Sequence, residues 1–560
     1  MKLKIPVGIS DFEEIRRNGY YYIDKSALIR ELLTSSAAKV TLITRPRRFG
    51  KTLGMSMLSC FLDIRKDSCA LFDGLEISED DTLCRDWMNQ WPTLFLSFKD
   101  VDGLNFSSAW GMLRNRIAFL CNQHSYLAES SRVNENDRKV FLQLSDPVDG
   151  RPTDDMLKTS ISLIMHMMQA HYGKPVILLL DEYDVPLAKA SSNGYYTQML
   201  EVIRSMMSTA LKDNSSLRFA VITGCLKIAK ESIFTGTNNF VSDTISGSRL
   251  DEYFGFTQDE VEKLLKDTEL ESHADDIRDW YDGYHFGDVD VYCPWDVLNY
   301  IYDLQSDPAA RPAGYWKNTS DNAIIRSFID SAGSSITMKL ESLLAGGTVI
   351  QKIEEDLTYD CLYASEDNLW SILYLTGYLT RVRESQLSMP LPDGTLSLII
   401  PNTEIRELFR TTIIRWFQDS AKTWDRHTLF HGVWTGDSEA VTREMNKLLR
   451  RTISYHDYRE DFYHAFLAGI FTGAGYMVES NKEHGEGRSD IVVSDPVNGQ
   501  AAVFEVKYSK TLEGLADSCQ KALQQIDGRR YAEDFMDSFD QVLCYGIAFY
   551  KKRCVVMRKN

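Results

Sequence analysis

The chain has 560 residues, too many for one hydrophobic core, and this length predicts about three or four domains. Its 44% hydrophobic and 25% charged residues are those of an ordinary globular protein and exclude a disordered or fibrous chain. A formal charge of −18, from 62 Lys+Arg against 80 Asp+Glu, excludes a broad electrostatic grip on nucleic acid, so any such contact must be a local basic groove.

The ten cysteines are scattered with no C-x-x-C pair, and the ten histidines include no H-E-x-x-H. That is neither a disulfide framework nor a zinc signature, and buried reduced thiols are expected. The opening stretch MKLKIPVGISDFEEIRRNGYYYIDKS has no apolar core of signal-peptide length, and no run approaches the roughly 18 apolar residues of a membrane span. A cytoplasmic location without membrane contact is the expectation.

Up to about Cys225 the chain alternates apolar runs with amphipathic stretches, the rhythm of an α/β domain with a parallel sheet. Buried strands are predicted at 40–44, 94–98, 176–180 and 219–223, and helices at 53–62 and 156–171. The first strand, VTLIT, runs straight into Arg45-Pro46-Arg47-Arg48-Phe49-Gly50-Lys51-Thr52 and then a helix. Strand, tight turn and helix N-terminus are what a phosphate cradle needs: backbone N–H groups around the phosphates, a Lys on their outer oxygens, and a Ser/Thr hydroxyl on Mg²⁺. Gly50, Lys51 and Thr52 fit those roles. The usual G-x-x-x-x-G-K-[ST] pattern would put glycine where Arg45 stands, and Pro46 removes one N–H from the cradle.

The strand VILLLDE ends in two acids, Asp181 and Glu182. An acid ending such a strand holds Mg²⁺ next to the nucleotide, and a following Glu polarises the attacking water. Asp181 is therefore the expected metal-linked carboxylate and Glu182 the expected base. Thr223, ending the next strand, stands where a γ-phosphate sensor would, although a turn-forming Thr-Gly reads equally well. The Tyr20-Tyr21-Tyr22 run is read as strand packing in preference to a base-stacking platform, and Arg249 as a surface salt bridge in preference to an arginine finger.

From about Phe254 to Leu343 the pattern becomes mainly helical, with aromatic clusters at 280–284 and 315–316. A helix at 369–376 followed by strand-like runs at 379–383 and 396–400, with Leu391-Pro392-Asp393-Gly394 between them, has the order of a winged helix. A new α/β unit is expected from about residue 425. There Arg488-Ser489-Asp490-Ile491-Val492-Val493 alternates as a half-buried strand, Asp495 to Gly499 supplies a hairpin turn, and the return strand carries Phe504-Glu505-Val506-Lys507. Glu505 and Lys507 share one strand face, and the hairpin brings Asp490 close to them. Two carboxylates can hold Mg²⁺, and an adjacent Lys can orient or deprotonate a water, which is the chemistry of metal-dependent phosphodiester hydrolysis. Glu460 or Glu483 could add a further carboxylate. Gln525 lies on a predicted helix of Leu515, Cys519, Ala522 and Ile526.

The motifs GISDF, YYYIDKS, RPRRFGKT, LDEYD, ITGCLKIAKESIFTGTNNF, DEYFGFTQDEV, WYDGYHF, CPW and YWKNTSDN, in that order, resemble the bacterial AAA-ATPase-like family. In that family R-P-R-R-F-G-K-[ST] is the standard loop, so the resemblance implies cofactor-binding roles for Arg45 and Arg48 beside Gly50, Lys51, Thr52, Asp181 and Thr223. The D-x₁₄-E-x-K constellation resembles the PD-(D/E)XK nuclease superfamily, with Asp490, Glu505, Lys507 and Gln525 as site residues and Asp490 and Glu505 as metal ligands. The expected architecture is α/β throughout: a P-loop NTPase with an ASCE-type parallel sheet (1–255), a mainly helical, winged-helix-like middle region (256–425), and a restriction-endonuclease-like domain (426–560). ATP and Mg²⁺ are the expected cofactors, nucleic acid (DNA first) the expected partner, and a homo-oligomer is left open. An ATP-controlled nuclease is the leading reading. The alternative is a nucleotide-switched sensor that binds nucleic acid or a protein without cutting.

Overall fold

A computed structural model describes residues 3–34, 38–146, 152–227, 240–316, 334–357, 359, 365–421, 427–452, 460–484, 487–550 and 553–559. The chain divides into two units. One comprises Met1–Tyr315, Gln351–Leu396 and Pro401–Thr403; the other comprises Trp316–Ile350, Ser397–Ile400 and Glu404–Asn560.

In the first unit the apolar runs become a parallel sheet. Strands β1 (Val40–Thr44), β2 (Thr93–Ser97), β3 (Val176–Asp181), β4 (Leu217–Gly224) and β5 (Phe240–Asp243) lie in the order β2-β3-β4-β1-β5. Every residue of β1 and β3 is buried, as expected of parallel strands covered on both faces, which need no polar alternation. Because β4 is inserted between β1 and β3, the ends of these three strands stand side by side: Thr44 pairs with Gly224 and Leu180 with Ile222. This is the ASCE-type order. The edge strand β5 was not anticipated; it is only four residues long and half-buried, so its apolar signal is weak.

The rest of the unit packs helices and short hairpins. Gln258–Thr268 opens with a capping box of Thr257 and Glu260, each satisfying an otherwise orphaned backbone donor. With Ala274–Tyr281 and Pro294–Ser306 it buries Leu264, Ile277, Tyr281, Val297 and Tyr300 in one core. A small hairpin, β6 (Tyr284–Phe286) and β7 (Val289–Val291), lies between them. Further along are the Glu366–Leu375 helix, buried from Leu369 to Leu375, and β9 (Thr380–Arg381), while β8 (Val349–Lys352) and β10 (Thr395–Ile399) each belong in part to the second unit. Helix, strand and strand follow in the predicted order, and Thr395 N–H closes a turn onto the Pro392 carbonyl at 3.1 Å.

The second unit carries a five-stranded mixed sheet in the order β11 (Met477–His484), β12 (Gly487–Asp495), β13 (Gln500–Tyr508), β14 (Gln541–Tyr550) and β15 (Arg553–Arg558). β13 and β14 are parallel and the other pairs antiparallel. A parallel pair needs a crossover, and the Leu515–Arg529 helix supplies it. Alternation along β13 is strict: Phe504 packs between the rings of Phe471 and Tyr545, at 5.2 and 5.1 Å, while Val503 joins Val492 and Ile526 in a separate cluster.

Candidate active sites

The first site forms where β1, β3 and β4 end. Gly50 precedes the Lys51–Leu62 helix at φ 84°, a left-handed conformation that costs a residue with a Cβ. Lys51 is only 5% exposed, and its ammonium donates to the carbonyls of Arg45 (2.8 Å) and Pro46 (2.7 Å). Its third donor direction meets Cys225 Sγ at 3.9 Å, a weak acceptor. Strand order explains the rest. Asp181, fully buried, accepts at Oδ2 from Thr52 Oγ1 (3.0 Å) and Ser97 Oγ (3.2 Å), and at Oδ1 from Thr223 Oγ1 (2.7 Å). Three strand ends and one helix start thus converge on a single carboxylate.

Glu182 follows at φ 52°, a backbone strain of the kind that clusters at functional sites. Burial raises its carboxyl above the usual range, and the neighbouring Asp181 charge adds to this. Asp184 is buried, and its Oδ2 accepts from the N–H groups of Cys225 and Leu226 and from the Tyr359 hydroxyl, each at 3.0 Å. An apolar pocket opens beside Gly50, lined by Ile9, Tyr22, Ile23, Leu53 and Phe256. Tyr22 belongs to its wall, with its hydroxyl donating to Met57 Sδ at 3.3 Å.

One arginine is held away from the expected cofactor contact. Arg45 is completely buried: Nη2 pairs with Asp243 Oδ1 at 2.6 Å and donates to the Leu250 carbonyl, and Nη1 donates to the carbonyls of Thr44 and Asp243. Its guanidinium fastens β1 to β5 and cannot also reach a phosphate. Arg48, at φ 75°, stacks its guanidinium 4.4 Å from the Trp295 ring centre. Arg249 stands 3.8 Å from Asp243, in keeping with the salt-bridge reading.

The second site lies where β12 and β13 part. Their ladder ends at the Ile491–Phe504 pair. At the next position Val506 N–H turns to the Asp490 side chain, donating to Oδ2 at 2.7 Å. Glu505 is fully buried; Lys507 Nζ pairs with Oε1 at 2.9 Å, while Oε2 has no hydrogen-bond partner among the described residues. Burial first, then the Asp490 charge, pushes the Glu505 carboxyl up to about 7. For Asp490 burial acts upward, but His464, the Val506 N–H and Lys507 together hold it below the usual carboxylate range. His464, from the Glu460–Thr472 helix, brings Nε2 to 3.3 Å from Asp490 Oδ2. Gln525 is not drawn in: its amide donates to the Tyr531 hydroxyl at 3.4 Å. The side chains of Glu460 and Glu483 lie outside the described residues.

Residues 6–234 match the family model described as a predicted AAA-ATPase, and residues 458–559 match the PD-(D/E)XK nuclease superfamily. The chain joins an AAA-ATPase-like domain to a PD-(D/E)XK-superfamily domain. A protein from Azotobacter chroococcum mcd 1, described as an uncharacterized protein in the vnfD 5′ region, is 23% identical over 556 residues, spanning 98% of this chain and 96% of that protein.

Each site holds oxygen donors of the type a divalent cation takes, although among the described residues no three His, Cys, Asp or Glu side chains group so as to hold one. In the AAA-ATPase-like domain Thr52 and Asp181 present a hydroxyl and a carboxylate already in contact. In the nuclease-superfamily domain Glu505 Oε2 is a buried carboxyl oxygen with no hydrogen-bond partner among the described residues. Mg²⁺ keeps several waters and needs only one or two carboxylates. Sequence reasoning missed Ser97 and His464. Ser97 stands in register with Asp181 on the neighbouring strand, which strand order alone would reveal. His464 is a single polar residue in the apolar helix stretch YHAFLAGIF, the one local signal that could have pointed to it.

Proposed function

We propose that this chain is an ATP-hydrolysing protein whose nucleotide state controls metal-dependent cleavage of nucleic acid, DNA in the first instance, by its C-terminal domain. The observation that carries the reading is the buried Glu505 carboxyl, paired at one oxygen with Lys507, without a hydrogen-bond partner among the described residues at the other, and raised by the neighbouring Asp490 charge. Such a group is costly to keep in an apolar core and is retained where a cation and a reacting water are to be handled.

In this reading Lys51 exchanges the loop carbonyls for the β- and γ-phosphates, and the apolar pocket beside Gly50 takes the purine base. Thr52 and Asp181 would hold Mg²⁺, Thr223 would report on the γ-phosphate, and Glu182 would orient the attacking water. At the other site Asp490 and Glu505 would hold the cation, which would supply positive charge for phosphodiester cleavage. Lys507 would orient the attacking water. The net charge of −18 leaves nucleic-acid binding to local contacts.

The test is plasmid nicking and single-strand RNA cleavage by wild type, Lys507→Ala and Lys51→Ala, with Mg²⁺ or Mn²⁺ and with or without ATP. Cleavage should require metal, vanish in Lys507→Ala, and lose its response to ATP in Lys51→Ala. No metal-dependent cleavage of any substrate, or equal cleavage by Lys507→Ala, would leave a domain that binds without cutting. An unchanged ATP response in Lys51→Ala would remove nucleotide control.

A further inference from the structure

We infer that the stacked pair Trp87 and Trp91, with the cations Arg218, Lys174 and Lys39, is a contact surface for single-stranded nucleic acid on the AAA-ATPase-like domain. It requires no cleavage by the C-terminal domain.

Four separate segments meet at the edge where the parallel strands begin. Because the strand order is β2-β3-β4-β1, the residues leading into these strands form a row: Trp91 before β2, Lys174 before β3, Arg218 at the start of β4 and Lys39 before β1. The nucleotide site lies at the other end of the same strands. Trp87 and Trp91 are half-buried and stack with ring centres 5.1 Å apart and planes 27° from parallel. The Arg218 guanidinium lies 5.7 Å from the Trp87 ring centre and 5.4 Å from that of Trp91, and the Lys174 ammonium lies 5.4 Å from the Trp91 ring centre.

Two features separate this patch from ordinary surface packing. The first is its charge. The β3–β4 register passes over Arg218, since Val176 faces Leu217 and Ile177 faces Phe219. An extra residue of this kind leaves the ladder and re-aims its side chain, and Arg218 is exposed over both indoles. The side chains of Arg218 and Lys39 make no hydrogen bond or ion pair with the described residues, and the Lys174 ammonium donates to the Gln90 carbonyl at 3.0 Å. Of the acids on these segments, Asp86 is paired with Arg85 at 2.7 Å and Asp213 has Lys212 as its chain neighbour. In a chain with 80 acids and 62 bases, three cations in a row without a carboxylate make a local positive surface.

The second feature is rigidity. Asn89, between the two tryptophans, sits at φ 55°, a left-handed conformation that Asn tolerates better than most residues. Its Nδ2 donates to the carbonyls of Cys60 and Asp63, its Oδ1 accepts from Ser68 N–H, each at 3.0 Å, and its own N–H donates to the Phe61 carbonyl at 2.7 Å. The loop that presents the indoles is therefore set before any partner arrives, and little ordering is left to oppose binding.

Aromatic faces for bases beside cations for phosphates are what single-strand sites combine. A duplex keeps its bases stacked on one another and would leave the indoles unused. An acidic protein segment would use the cations alone. With a net charge of −18, binding must come from such a local patch.

The experiment is fluorescence anisotropy of the full-length protein with labelled oligo-dT and oligo-U of about 20 nucleotides, in EDTA so that no metal-dependent cleavage intervenes, across a salt series. Replacing Lys39, Lys174 and Arg218 together by Gln should weaken binding at least about tenfold and reduce the slope of log affinity against log salt by about 2, at about 0.7 per phosphate contact. Trp87→Leu should weaken single strands about fivefold or more and leave a blunt duplex of the same length unaffected. Photo-crosslinking of wild type to an oligonucleotide carrying 5-iodouracil should mark the peptide with Trp87 and Trp91, a readout that holds if a variant folds poorly. Wild type that binds no single strand, or crosslinks only within residues 458–559, would overturn the inference, and the second result would leave the nucleic-acid reading of the C-terminal domain standing. Binding of poly-glutamate through the three cations, with neither oligonucleotide bound, would overturn it in favour of an acidic protein partner.

Discussion

Replacing Arg45 by Met tests whether this arginine of the phosphate loop serves the fold or the nucleotide. Arg45 is 0% exposed and the Asp243 side chain 5% exposed, with a 2.6 Å contact between them. The substitution preserves most of the side chain's apolar bulk and removes the guanidinium. It leaves the Asp243 carboxylate and the carbonyls of Thr44, Asp243 and Leu250 without that donor. Breaking a buried pair from one side costs about 3–5 kcal/mol. Arg249, 3.8 Å from the other Asp243 oxygen, offers partial compensation, which places the expected loss toward about 3 kcal/mol. The first thermal transition should fall on the order of 5–10 °C.

The double variant Arg45→Met/Asp243→Asn should be less destabilised than the sum of the two single variants, by about 1–3 kcal/mol of coupling. ATP affinity of the folded Arg45→Met protein, measured by titration well below its transition, should stay within about threefold of wild type, since the Arg45 guanidinium is fully buried and both its Nη groups are taken up by Thr44, Asp243 and Leu250. Additive single losses would refute the buried-pair argument. A wild-type melting curve with ATP binding lost would refute it more directly, because Arg45 would then be a nucleotide ligand.

Three further predictions follow from the same geometry. Glu182→Gln should keep Mg·ATP binding and slow turnover at least about a hundredfold, because it removes the water-orienting group only; equal turnover would leave Glu182 as a strained turn residue. A Cβ on Gly224 would stand 2.7 Å from Asp184 Oδ1 and from the Tyr183 ring, so Gly224→Ala should displace the segment carrying Glu182 and lower kcat for ATP about tenfold or more, and wild-type kcat would show the close approach to be dispensable. Glu505, raised to about 7, keeps its proton in the metal-free fold below that pH. Metal binding there should release a proton at pH 6 and almost none at pH 8, with affinity rising up to about tenfold per pH unit until about pH 7 and then levelling; a flat profile from pH 5.5 to 8, read by calorimetry in two buffers, would contradict the shift.

Much of the first site was legible because its residues are consecutive. VTLIT followed by GKT, and VILLLDE, each put a buried strand and its functional end in one short string, and the strand order turns two strings into one network. What was not legible depends on partners far away in sequence. Arg45 in a glycine-poor loop reads as a phosphate ligand until Asp243, 198 positions on, is seen to hold it. Ser97 ends an unremarkable strand and gains meaning only from its register with Asp181. In the second site the hairpin fixed Asp490, Glu505 and Lys507, since strand parity and an Asn-Gly turn are local rules. His464 comes from a separate helix, where periodicity reports burial but not which buried atom faces the acids. Gln525 sits on the predicted helix, yet its amide is directed to Tyr531, an orientation no sequence spacing encodes.

The two carboxylate sites differ in one respect that bears on how each meets a cation. Asp181 is satisfied within the protein: three hydroxyls cover its two oxygens. A cation arriving there must displace hydrogen bonds worth about 0.5–1.5 kcal/mol each, and arrives most favourably with the phosphates that bring their own negative charge. Glu505 is not satisfied, because one oxygen is paired with Lys507 and the other has no partner among the described residues. Above about pH 7 a cation there displaces no hydrogen bond of Oε2 and meets a buried carboxylate oxygen. Free metal should therefore load the C-terminal site before the nucleotide site, and metal added with ATP should load both. That order makes sub-stoichiometric Mn²⁺ without nucleotide a selective probe of the Asp490–Glu505 cluster. It also sets a condition on any control of cleavage by ATP. Nucleotide cannot act simply by delivering the metal, so it must change access to a site already loaded, and that requires two states of the protein with different affinity for ATP.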